Sequence, residues 1–578
     1  MTLRDALQRV LAALIPLSIA SLCYLYLYPL FHGCAFPHPA ATNKAPNFFP
    51  PYTSDAFLDT VWAHTGLPHQ RPNSSAPFRL LVLADPQIEG DSSLPEPGHG
   101  FIPSLKEHWN KIKDAREGTV GSFISVIGAS LRDVFLSELP LLVQASRKRL
   151  DLLGNDFYLA HIYRTLSWWS RPTHTTVLGD LVGSQWVLDD EFERRSWRYW
   201  NRVFRGGVRV DNDITVTGSD DPAKHERGEF KADLGTDDWS QRIINIAGNH
   251  DIGYAGDISR ARMERFDRAF GRPNWDVRFE LPGYNRSDIS SSGSGSGSPP
   301  SIHLIVLNTL SIDGPALDSS IQTETYQYVN DVIRRRLRPV EDRTTFTLLL
   351  THLPLHKQEG VCTDPPYFSY NDGDDQDNGN EPRFTNGGLR EQNHLSEYFS
   401  RIGLLQGIFG MTGDAKAPSQ GKGRNGLVLT GHDHTGCDVI HFVDRNGTQV
   451  NDDPASSWSW NATRYDPKAF NHTKADPAIR EVTLRSMMGE YGGNAGLLSV
   501  WYDANQATPE WKYELALCPL GVQHIWWGIH ITTIVTSAIA LLWGILRVTT
   551  EKPVTEKSAA PRDKKQPSLV KGTKVSGT

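Results

Sequence analysis

The chain has little net charge, a formal −7 over 578 residues, and this charge is spread along the sequence. It lacks the basic face that nucleic-acid binding needs, which excludes nucleic acid as a partner. Hydrophobic residues make up 39% and charged residues 22%, the composition of a folded globular protein. Because 578 residues exceed one ordinary core, we expect a large domain with appended segments.

Two segments, residues 10–31 and 525–546, contain no Asp, Glu, Lys or Arg. Each has 22 residues, close to the ~20 apolar residues of a membrane-spanning helix. Three tyrosines near the end of the first segment are typical of an interfacial aromatic belt. We therefore expect a transmembrane helix at each segment. A cleaved signal peptide is the alternative for the first, but its apolar core would be shorter, about 7–15 residues.

Basic residues flank the two segments on their outer sides. Arg4 and Arg9 precede the first, and eight Lys or Arg against three Asp or Glu follow the second. Positive flanks favour the cytosol, so we expect cytosolic tails at 1–9 and 547–578 and a lumenal region at 32–524. Five N-x-S/T sequons lie in that lumenal region and agree with it, namely Asn73, Asn285, Asn446, Asn461 and Asn471.

Only five cysteines occur, and Cys23 lies inside the first apolar segment. The other four fall in the lumenal region, where an even number favours two disulfides. We expect Cys34–Cys518, because both border the membrane segments, and Cys362–Cys437, because each follows a histidine motif. Four unpaired thiols are the alternative.

Six short apolar runs, each stopping at a polar residue, follow a juxtamembrane linker at 32–77. They are residues 80–84, 175–178, 243–247, 302–307, 346–350 and 427–429. Such runs are typical of strands buried on both faces, and helix-like stretches at 189–205 and 324–338 alternate with them. The pattern predicts a layered α/β domain across 78–524. Two inserts, a Gly/Ser-rich one at 286–300 and an acidic one at 371–381, are expected to be flexible.

Five of the six runs end in residues that commonly bind metals. The motifs are Asp85-Pro86-Gln87, Gly179-Asp180, Gly248-Asn249-His250-Asp251, Thr351-His352 and Gly431-His432-Asp433-His434. Ligands in open α/β sheets bind outside the carboxyl ends of the strands, so we expect these five loops to converge. Carboxylate, amide and imidazole groups together suit Mn, Fe or Zn. Two such ions about 3.5–4 Å apart can clamp a phosphoryl group and activate water, so the spacing predicts a dimetal phosphoesterase.

This ordered set resembles the calcineurin-like metallophosphoesterase superfamily, whose motifs run D-x-H, G-D, G-N-H-D/E, H and G-H-x-H. The resemblance covers residues 78–440. It implies a β-sandwich flanked by helices, with a dimetal site at the carboxyl ends of the strands. It implies four ligands for a first metal, namely Asp85, Gln87, Asp180 and His434. It implies four for a second, namely Asp180 as the bridge, Asn249, His352 and His432.

The resemblance also assigns two roles outside the ligand set. His250 would face the substrate and protonate the leaving oxygen, and Asp251 would orient the ring of His250. Gln87 departs from the superfamily, which usually has histidine there. An amide oxygen binds Mn or Fe more weakly than imidazole does, which weakens the first site. Manganese is the expected metal, with iron or zinc as alternatives.

The phrases ADPQIEG, GDLVGSQW, AGNHDIGY, THLPLHK and TGHDHTGCD, with an apolar segment on each side, resemble the endoplasmic-reticulum branch of the superfamily. That branch removes ethanolamine phosphate from the glycan of GPI anchors. The resemblance implies a phosphodiesterase of the endoplasmic-reticulum membrane, cycling to the early Golgi, that acts on GPI-anchored glycoproteins. It also implies a role in their export, with cargo-export receptors as partners.

Two alternatives remain at this stage. The first is a lumenal phosphodiesterase or phosphatase acting on another substrate. The second is a domain that binds the GPI glycan without cleaving it and serves as a cargo adaptor, which Gln87 favours. The intact motifs around His250 and His432 argue against a pure binding role.

Overall fold

The computed structural model describes residues 2–39, 55–66, 75–96, 100–219, 228–283, 299–336, 339–362, 365–377, 381–445, 458–466, 477–488, 492–504 and 509–550. The chain divides into two units. One consists of Met1–Cys23 with Gly528–Thr578, and the other of Tyr24–Trp527.

Eleven α-helices lie within the described residues. They are α1 (Leu3–Tyr26), α2 (Tyr28–Phe31), α3 (Asp55–Thr65), α4 (Phe101–Ala115), α5 (Val120–Asp133), α6 (Leu139–Ser170), α7 (Asp189–Arg198), α8 (Asn249–Ile252), α9 (Arg260–Phe270), α10 (Ser319–Arg334) and α11 (Gln523–Thr550). Three π-helical segments occur at Val134–Glu138, Tyr199–Val203 and Phe399–Ile408. Among the described helices, α1 and α11 are long and apolar enough to cross a membrane. Within their shared unit, the hydroxyl groups of Ser18 and Thr536 form a 2.9 Å hydrogen bond.

Eighteen strands occur in the described residues of the larger unit. They are β1 (Phe78–Leu83), β2 (His174–Val177), β3 (Val208–Arg209), β4 (Phe230–Asp233), β5 (Arg242–Asn245), β6 (Trp275–Glu280), β7 (Ser301–Leu307), β8 (Thr345–Thr351), β9 (Phe368–Tyr370), β10 (Asp375–Asp377), β11 (Glu381–Phe384), β12 (Leu389–Gln392), β13 (Gly426–Thr430), β14 (Cys437–Asp444), β15 (Ser459–Arg464), β16 (Ala478–Thr483), β17 (Asn494–Asp503) and β18 (Glu510–Pro519).

Two large sheets contain most of these strands. The six-stranded sheet has the order β18-β17-β1-β2-β5-β3, and the eight-stranded sheet has the order β15-β14-β16-β13-β8-β7-β6-β4. Strands β1, β2, β5 and β3 are parallel to one another, as are β7, β8, β13 and β16. At one edge of the six-stranded sheet, β17 and β18 are added in antiparallel pairing. At one edge of the eight-stranded sheet, β14 and β15 are added in the same way. The domain is therefore a mixed α/β structure.

All six predicted apolar runs are strands, namely β1, β2, β5, β7, β8 and β13. Every residue of β7 and of β8 is buried, as expected for strands covered on both faces. The predicted helical stretches correspond to α7, continued by a π-helical turn, and to α10. One hydrophobic core joins the two sheets, because it contains Leu80 and Ile244 from the first and Leu304, Leu348 and Leu429 from the second.

Two predicted irregular regions contain regular structure. The linker at 32–77 includes α3, whose Phe57 packs on Trp169 of α6 with ring centroids 6.2 Å apart. Part of the acidic insert at 371–381 forms β10, which pairs with β11. Antiparallel pairing needs only local backbone hydrogen bonds, so an acidic composition did not prevent it. Of the other insert, residues 286–298 lie outside the described residues.

Both predicted disulfides are present. Cys34 is bonded to Cys518, and Cys362 is bonded to Cys437. The free cysteine among the described residues is Cys23, inside α1. The pairing of Cys34 with Cys518 joins the segment after α2 to the end of β18. Of the five sequons, only Asn461 lies within the described residues, half-buried in β15.

Candidate metal centre

The predicted ligands follow five parallel strands at their carboxyl ends. Strands β1, β2 and β5 of the six-stranded sheet lead to the first three motifs, and β8 and β13 of the eight-stranded sheet lead to the last two. The common core holds these two sheets against each other, so the five loops meet at one edge of the domain. All nine predicted site residues lie within the described part of the chain.

The backbone is strained at four of the predicted ligands. Asp85, Gln87, Asp180 and His432 have φ values of 50°, 39°, 50° and 71°, in the left-handed region that non-glycine residues rarely adopt. Nine non-glycine residues of the described chain have positive φ, so almost half of this strain falls on the predicted ligands. Strain of this kind persists only where the surrounding structure holds it, and it is typical of functional sites.

Asp180 lies at the centre of the cluster. Its Oδ1 accepts a hydrogen bond from the backbone N–H of His250 at 2.9 Å and lies 3.4 Å from Nε2 of His352. Its Oδ2 accepts from Nε2 of Gln87 at 3.0 Å and lies 3.8 Å from Nε2 of His250. Burial raises the pKa of Asp180, but interactions led by the neighbouring His250, whose backbone N–H also donates to the carboxylate, outweigh burial and lower that pKa overall. The carboxylate therefore stays ionised between the two halves of the predicted ligand set.

Two histidines, the buried His352 and the half-buried His432, present unprotonated nitrogens to Asn249. Burial lowers the pKa of His352 and lowers the pKa of His432 to about 3, so both rings are neutral. Nδ1 of His352 lies 2.7 Å from the carbonyl of Leu178, and Nε2 of His432 lies 2.9 Å from the carbonyl of Gln392. These carbonyls take the single ring proton of each histidine. The opposite nitrogens, Nε2 and Nδ1, lie 2.9 and 3.0 Å from Oδ1 of Asn249.

In this amide orientation three lone pairs face one another, which is unfavourable unless a cation lies among them. The partner carbonyls fix the ring orientation in the manner of outer-sphere residues in metal sites.

Asp85 is fully buried and incompletely paired. Its Oδ1 accepts from the backbone N–H of His432 at 3.3 Å, whereas its Oδ2 has no hydrogen-bond partner within the described chain. Burial and the charge of Asp180 hold the pKa of Asp85 well above its usual range. Ligand atoms of Asp85, Asp180 and His352 lie within 4.8 Å of one another. A divalent cation would satisfy the orphaned oxygen and relieve the repulsion, so this donor set fits a metal.

Gln87 occupies the position that the superfamily gives to histidine. Its Nε2 lies 3.0 Å from Oδ2 of Asp180 and 3.0 Å from Nε2 of His434. A rotation of the amide would exchange this nitrogen for the carbonyl oxygen, which is the atom able to bind a metal. Gln87 therefore reaches the predicted first site, and its chemistry there is that of a weak neutral ligand.

His250 and Asp251 differ in their surroundings. His250 lies beside Asp180 with 36% of its side chain accessible, and its Nδ1 has no hydrogen-bond partner among the described residues. Asp251 is fully buried and accepts hydrogen bonds from the backbone of Gly248, Leu181 and Val182 at 2.8, 3.1 and 2.9 Å. Asp251 thus braces the loops after β2 and β5. The resemblance had implied another role for Asp251, the orientation of the His250 ring.

Two glycines allow these loops to approach each other. A Cβ atom at Gly179, whose φ is +94°, would lie 2.3 Å from Nδ1 of His352. A Cβ atom at Gly248 would lie 2.0 Å from the backbone nitrogen of Asp180. Any larger residue at either position would push the ligand loops apart.

A second group of acidic and histidine side chains is already neutralised. Asp276 accepts from Nε2 of His303 at 2.8 Å and pairs with both terminal nitrogens of Arg335 at 3.1 and 2.9 Å. Glu229 pairs with Arg278 at 2.5 Å. Burial lowers the pKa of His303 to about 4. With two guanidinium groups in place, this cluster is a structural ion-pair network and not a second metal site.

Helices α4, α5 and α6 occupy residues 101–170, a helical region that the sequence pattern did not predict. The uncharged run at 120–131 was the available signal, but it is too short to register as a membrane span.

No family model matches the chain. It is 31% identical to Protein TED1 of Saccharomyces cerevisiae over 67% of this chain and 76% of that protein. It is 26% identical to an uncharacterized protein of Schizosaccharomyces pombe, over 68% and 81% of the respective chains. It is 21% identical to Metallophosphoesterase 1 of Mus musculus, over 69% and 83% of the respective chains.

Proposed function

The chain belongs to the family that includes Protein TED1 and Metallophosphoesterase 1, and on that premise we propose that it is a calcineurin-like dimetal phosphodiesterase. Its proposed reaction removes ethanolamine phosphate from the glycan of GPI anchors. The observation that carries the proposal is the convergence of five separate motifs, from two sheets, around the buried carboxylate of Asp180.

Two divalent cations, with manganese expected and iron or zinc as alternatives, would be held by this cluster. Asp85, Gln87, Asp180 and His434 would hold the first. Asn249, His352 and His432 would hold the second, with Asp180 shared. When bound, such ions polarise phosphoryl oxygens and lower the pKa of water at the site.

The chain itself supplies the proton chemistry through His250. Its ring lies beside Asp180 and is partly accessible, so it can touch a substrate as well as the ligand cluster. A protonated His250 would hold its proton toward the leaving oxygen of the phosphodiester and stabilise the negative charge that develops there. The backbone N–H of His250 meanwhile anchors Oδ1 of Asp180.

The proposed location is the membrane of the endoplasmic reticulum, with cycling to the early Golgi. Helices α1 and α11 would anchor the chain with both termini in the cytosol, and the sheets would face the lumen. Two disulfides suit that oxidising compartment. GPI-anchored glycoproteins would be the substrates, and removal of the phosphate branch would support their export with cargo-export receptors as partners.

Mass spectrometry of released GPI glycans tests this proposal. Cells would carry the native chain, His250→Ala, or the control His32→Ala at an exposed histidine outside the cluster. We expect extra ethanolamine phosphate in the His250→Ala cells at normal protein level, and none in the His32→Ala cells.

Unchanged glycans in the His250→Ala cells would overturn the GPI assignment and leave a phosphodiesterase of another lumenal substrate. If deletion of the whole chain slowed cargo export while His250→Ala did not, the chain would be a glycan-binding adaptor.

A further inference from the structure

Residues 101–151 form a helical layer with an apolar surface that no described residue covers. We call this layer the helical shelf; it comprises α4, α5, the π-helical segment Val134–Glu138 and the start of α6. Ser130 is the single buried residue among the described side chains of 101–138. Ile102, Val120 and Trp109 are 79%, 77% and 68% exposed. A concentration of exposed apolar side chains in one segment is typical of an interaction site.

Helix α5 is largely apolar and exposed, yet it is too short to span a bilayer. Residues 120–131 contain no charged side chain, yet Val120, Ile124 and Leu131 are exposed. Twelve residues are too few to span a bilayer, which needs about 20. The exposed apolar surface continues after α5 through Phe135 and Leu136. A helix of this length and polarity is stable when it lies along a surface that is apolar itself.

The second half of α6 ties the shelf to the chain beside both apolar spans. Nε2 of His161 lies 3.1 Å from the carbonyl of Leu25, close to the end of α1. Tyr158 donates its hydroxyl to the carbonyl of Gly521 at 2.6 Å, just before α11 begins. The ring of Trp527 packs so closely on Gly154 that a Cβ atom there would lie 1.7 Å from it. Helix α6 thus connects the shelf at its start to the two places, near Leu25 and Gly521, where the chain leads into the proposed spans.

The same helix also contacts the first ligand loop. Lys148 of α6 pairs with Glu89 at 2.7 Å, two residues after Gln87. Arg198 of α7 pairs with Asp156 of α6 at 2.7 Å and donates to the carbonyl of Glu89 at 2.6 Å. Helix α6 therefore joins the shelf to the loop that carries Gln87 of the candidate metal centre.

We propose that the helical shelf inserts its apolar side chains into the interface of the lipid bilayer. Residues 101–151 contain eight Lys or Arg against six Asp or Glu. Lys148 pairs with Glu89 and Lys111 with Glu107. The long side chains of such basic residues can extend to phosphate headgroups while their stems lie along an apolar surface. Such helices insert about 5–10 Å into the headgroup region. The inference rests on the membrane anchoring in the proposed function and is independent of the catalysis. Insertion of the shelf, together with the two spans, would then fix the distance between the candidate metal centre and the membrane surface.

Fluorescent labels at single cysteines test the shelf in the full chain. The native Cys23 is replaced by serine, and a label sensitive to polarity is attached at Trp109→Cys or Ile124→Cys. The matched control is Tyr398→Cys, where the native side chain is 71% exposed outside the shelf. Ile534→Cys on α11 reports insertion of the span. The proteins are reconstituted in phosphatidylcholine and phosphatidylserine vesicles containing lipids that carry a doxyl quencher.

We expect a blue shift and quenching by doxyl lipids at Trp109, Ile124 and Ile534, and neither effect at Tyr398. Shelf labels that stay as water-exposed as the Tyr398 label, while the Ile534 label is quenched, would overturn the inference alone. A blue shift at the shelf that doxyl lipids do not quench and that dilution of the protein removes would mean that a second copy covers the shelf, which also overturns it. An unquenched Ile534 label would overturn both the membrane anchoring and the insertion of the shelf. All of these fluorescence measurements are independent of enzyme activity.

Discussion

At the scale of single residues, Gln87 is the position that we propose sets how tightly the first metal binds. Its side chain lies 3.0 Å from both Asp180 and His434, so it reaches the ligand cluster in spite of its unusual identity. A neutral amide oxygen is a weaker donor than imidazole for Mn, Fe or Zn. The backbone at Gln87 has a φ of 39°, in the left-handed region, and such a conformation persists only where the surrounding structure holds it.

Replacing Gln87 by histidine is expected to tighten the first site. We expect roughly tenfold higher affinity for Mn²⁺, equivalent to about 1.4 kcal/mol, measured by equilibrium dialysis and elemental analysis of the purified protein. Gln87→Leu is the matched control, and it should lose one bound ion per chain. Equal Mn²⁺ affinity in all three proteins would show that residue 87 is not a ligand.

At the scale of elements, a buried ion pair fastens the loop of His352 to the neighbouring strands. Glu481 of β16 accepts from Lys357 at 3.0 Å and from His441 of β14 at 2.7 Å. Its other oxygen accepts from the backbone of Leu355 at 2.8 Å. Burial alone would raise the pKa of Glu481, but Lys357 and His441 outweigh it and lower that pKa to about 2.

Removing the charge of Glu481 is expected to destabilise the domain. Glu481→Gln leaves the ammonium group of Lys357, 1% exposed, without its buried counter-charge, which costs about 3–5 kcal/mol. The measurement is the free energy of unfolding from urea titration of the detergent-solubilised protein. Glu510→Gln, which breaks the more exposed pair with Lys512, is the control and should cost less than about 1 kcal/mol.

The effect of Glu481 also has a pH signature. The pKa of this carboxyl is lowered on folding from 4.5 to about 2, so its contribution is complete above pH 4.5 and disappears as the pH falls toward about 2. The difference in unfolding free energy between native and Glu481→Gln protein should shrink over that window. A difference that stays constant from about pH 6 down to about pH 2.5, a range that covers most of that window, would contradict the assigned pairing.

At the scale of the whole molecule, the Cys34–Cys518 disulfide joins positions 484 residues apart. It fixes the chain after α2 to the last strand before α11, the same region that α6 contacts through Trp169 and the carbonyl of Cys34 at 2.6 Å. Disulfides persist in the lumen of the secretory pathway and are rare in the cytosol. The stabilisation that this disulfide provides therefore depends on an oxidising compartment, such as the proposed lumenal location.

We expect peptide mass spectrometry of the unreduced protein from cells to recover both disulfides and a free Cys23. The double variant Cys34→Ser with Cys518→Ser should lose about 2–5 kcal/mol of stability and unfold at a lower temperature. Cys23→Ser is the control and should unfold like the native chain. Recovery of all five cysteines as thiols would contradict a lumenal domain.

Much of the larger architecture could be predicted from local sequence. The six apolar runs are strands because continuous burial on both faces demands an uninterrupted hydrophobic pattern, which is visible in the letters. The two apolar helices and the residue types after β1, β2, β5, β8 and β13 are equally local properties. The disulfide pairs were inferred from position along the chain, and the structure has both.

Tertiary structure decided what each polar group contacts. Asp251 follows His250 in sequence, yet its carboxylate binds the backbone of Leu181 and Val182, because the loops after β2 and β5 lie side by side. The partners of Glu481 come from two other elements, which no periodicity in β16 could identify. The helical shelf was missed because exposure depends on what packs against a helix, and composition alone cannot specify that. Local pattern thus determined the strands and the donor types, whereas the packing of two sheets and α6 determined which donors meet and which apolar face stays uncovered.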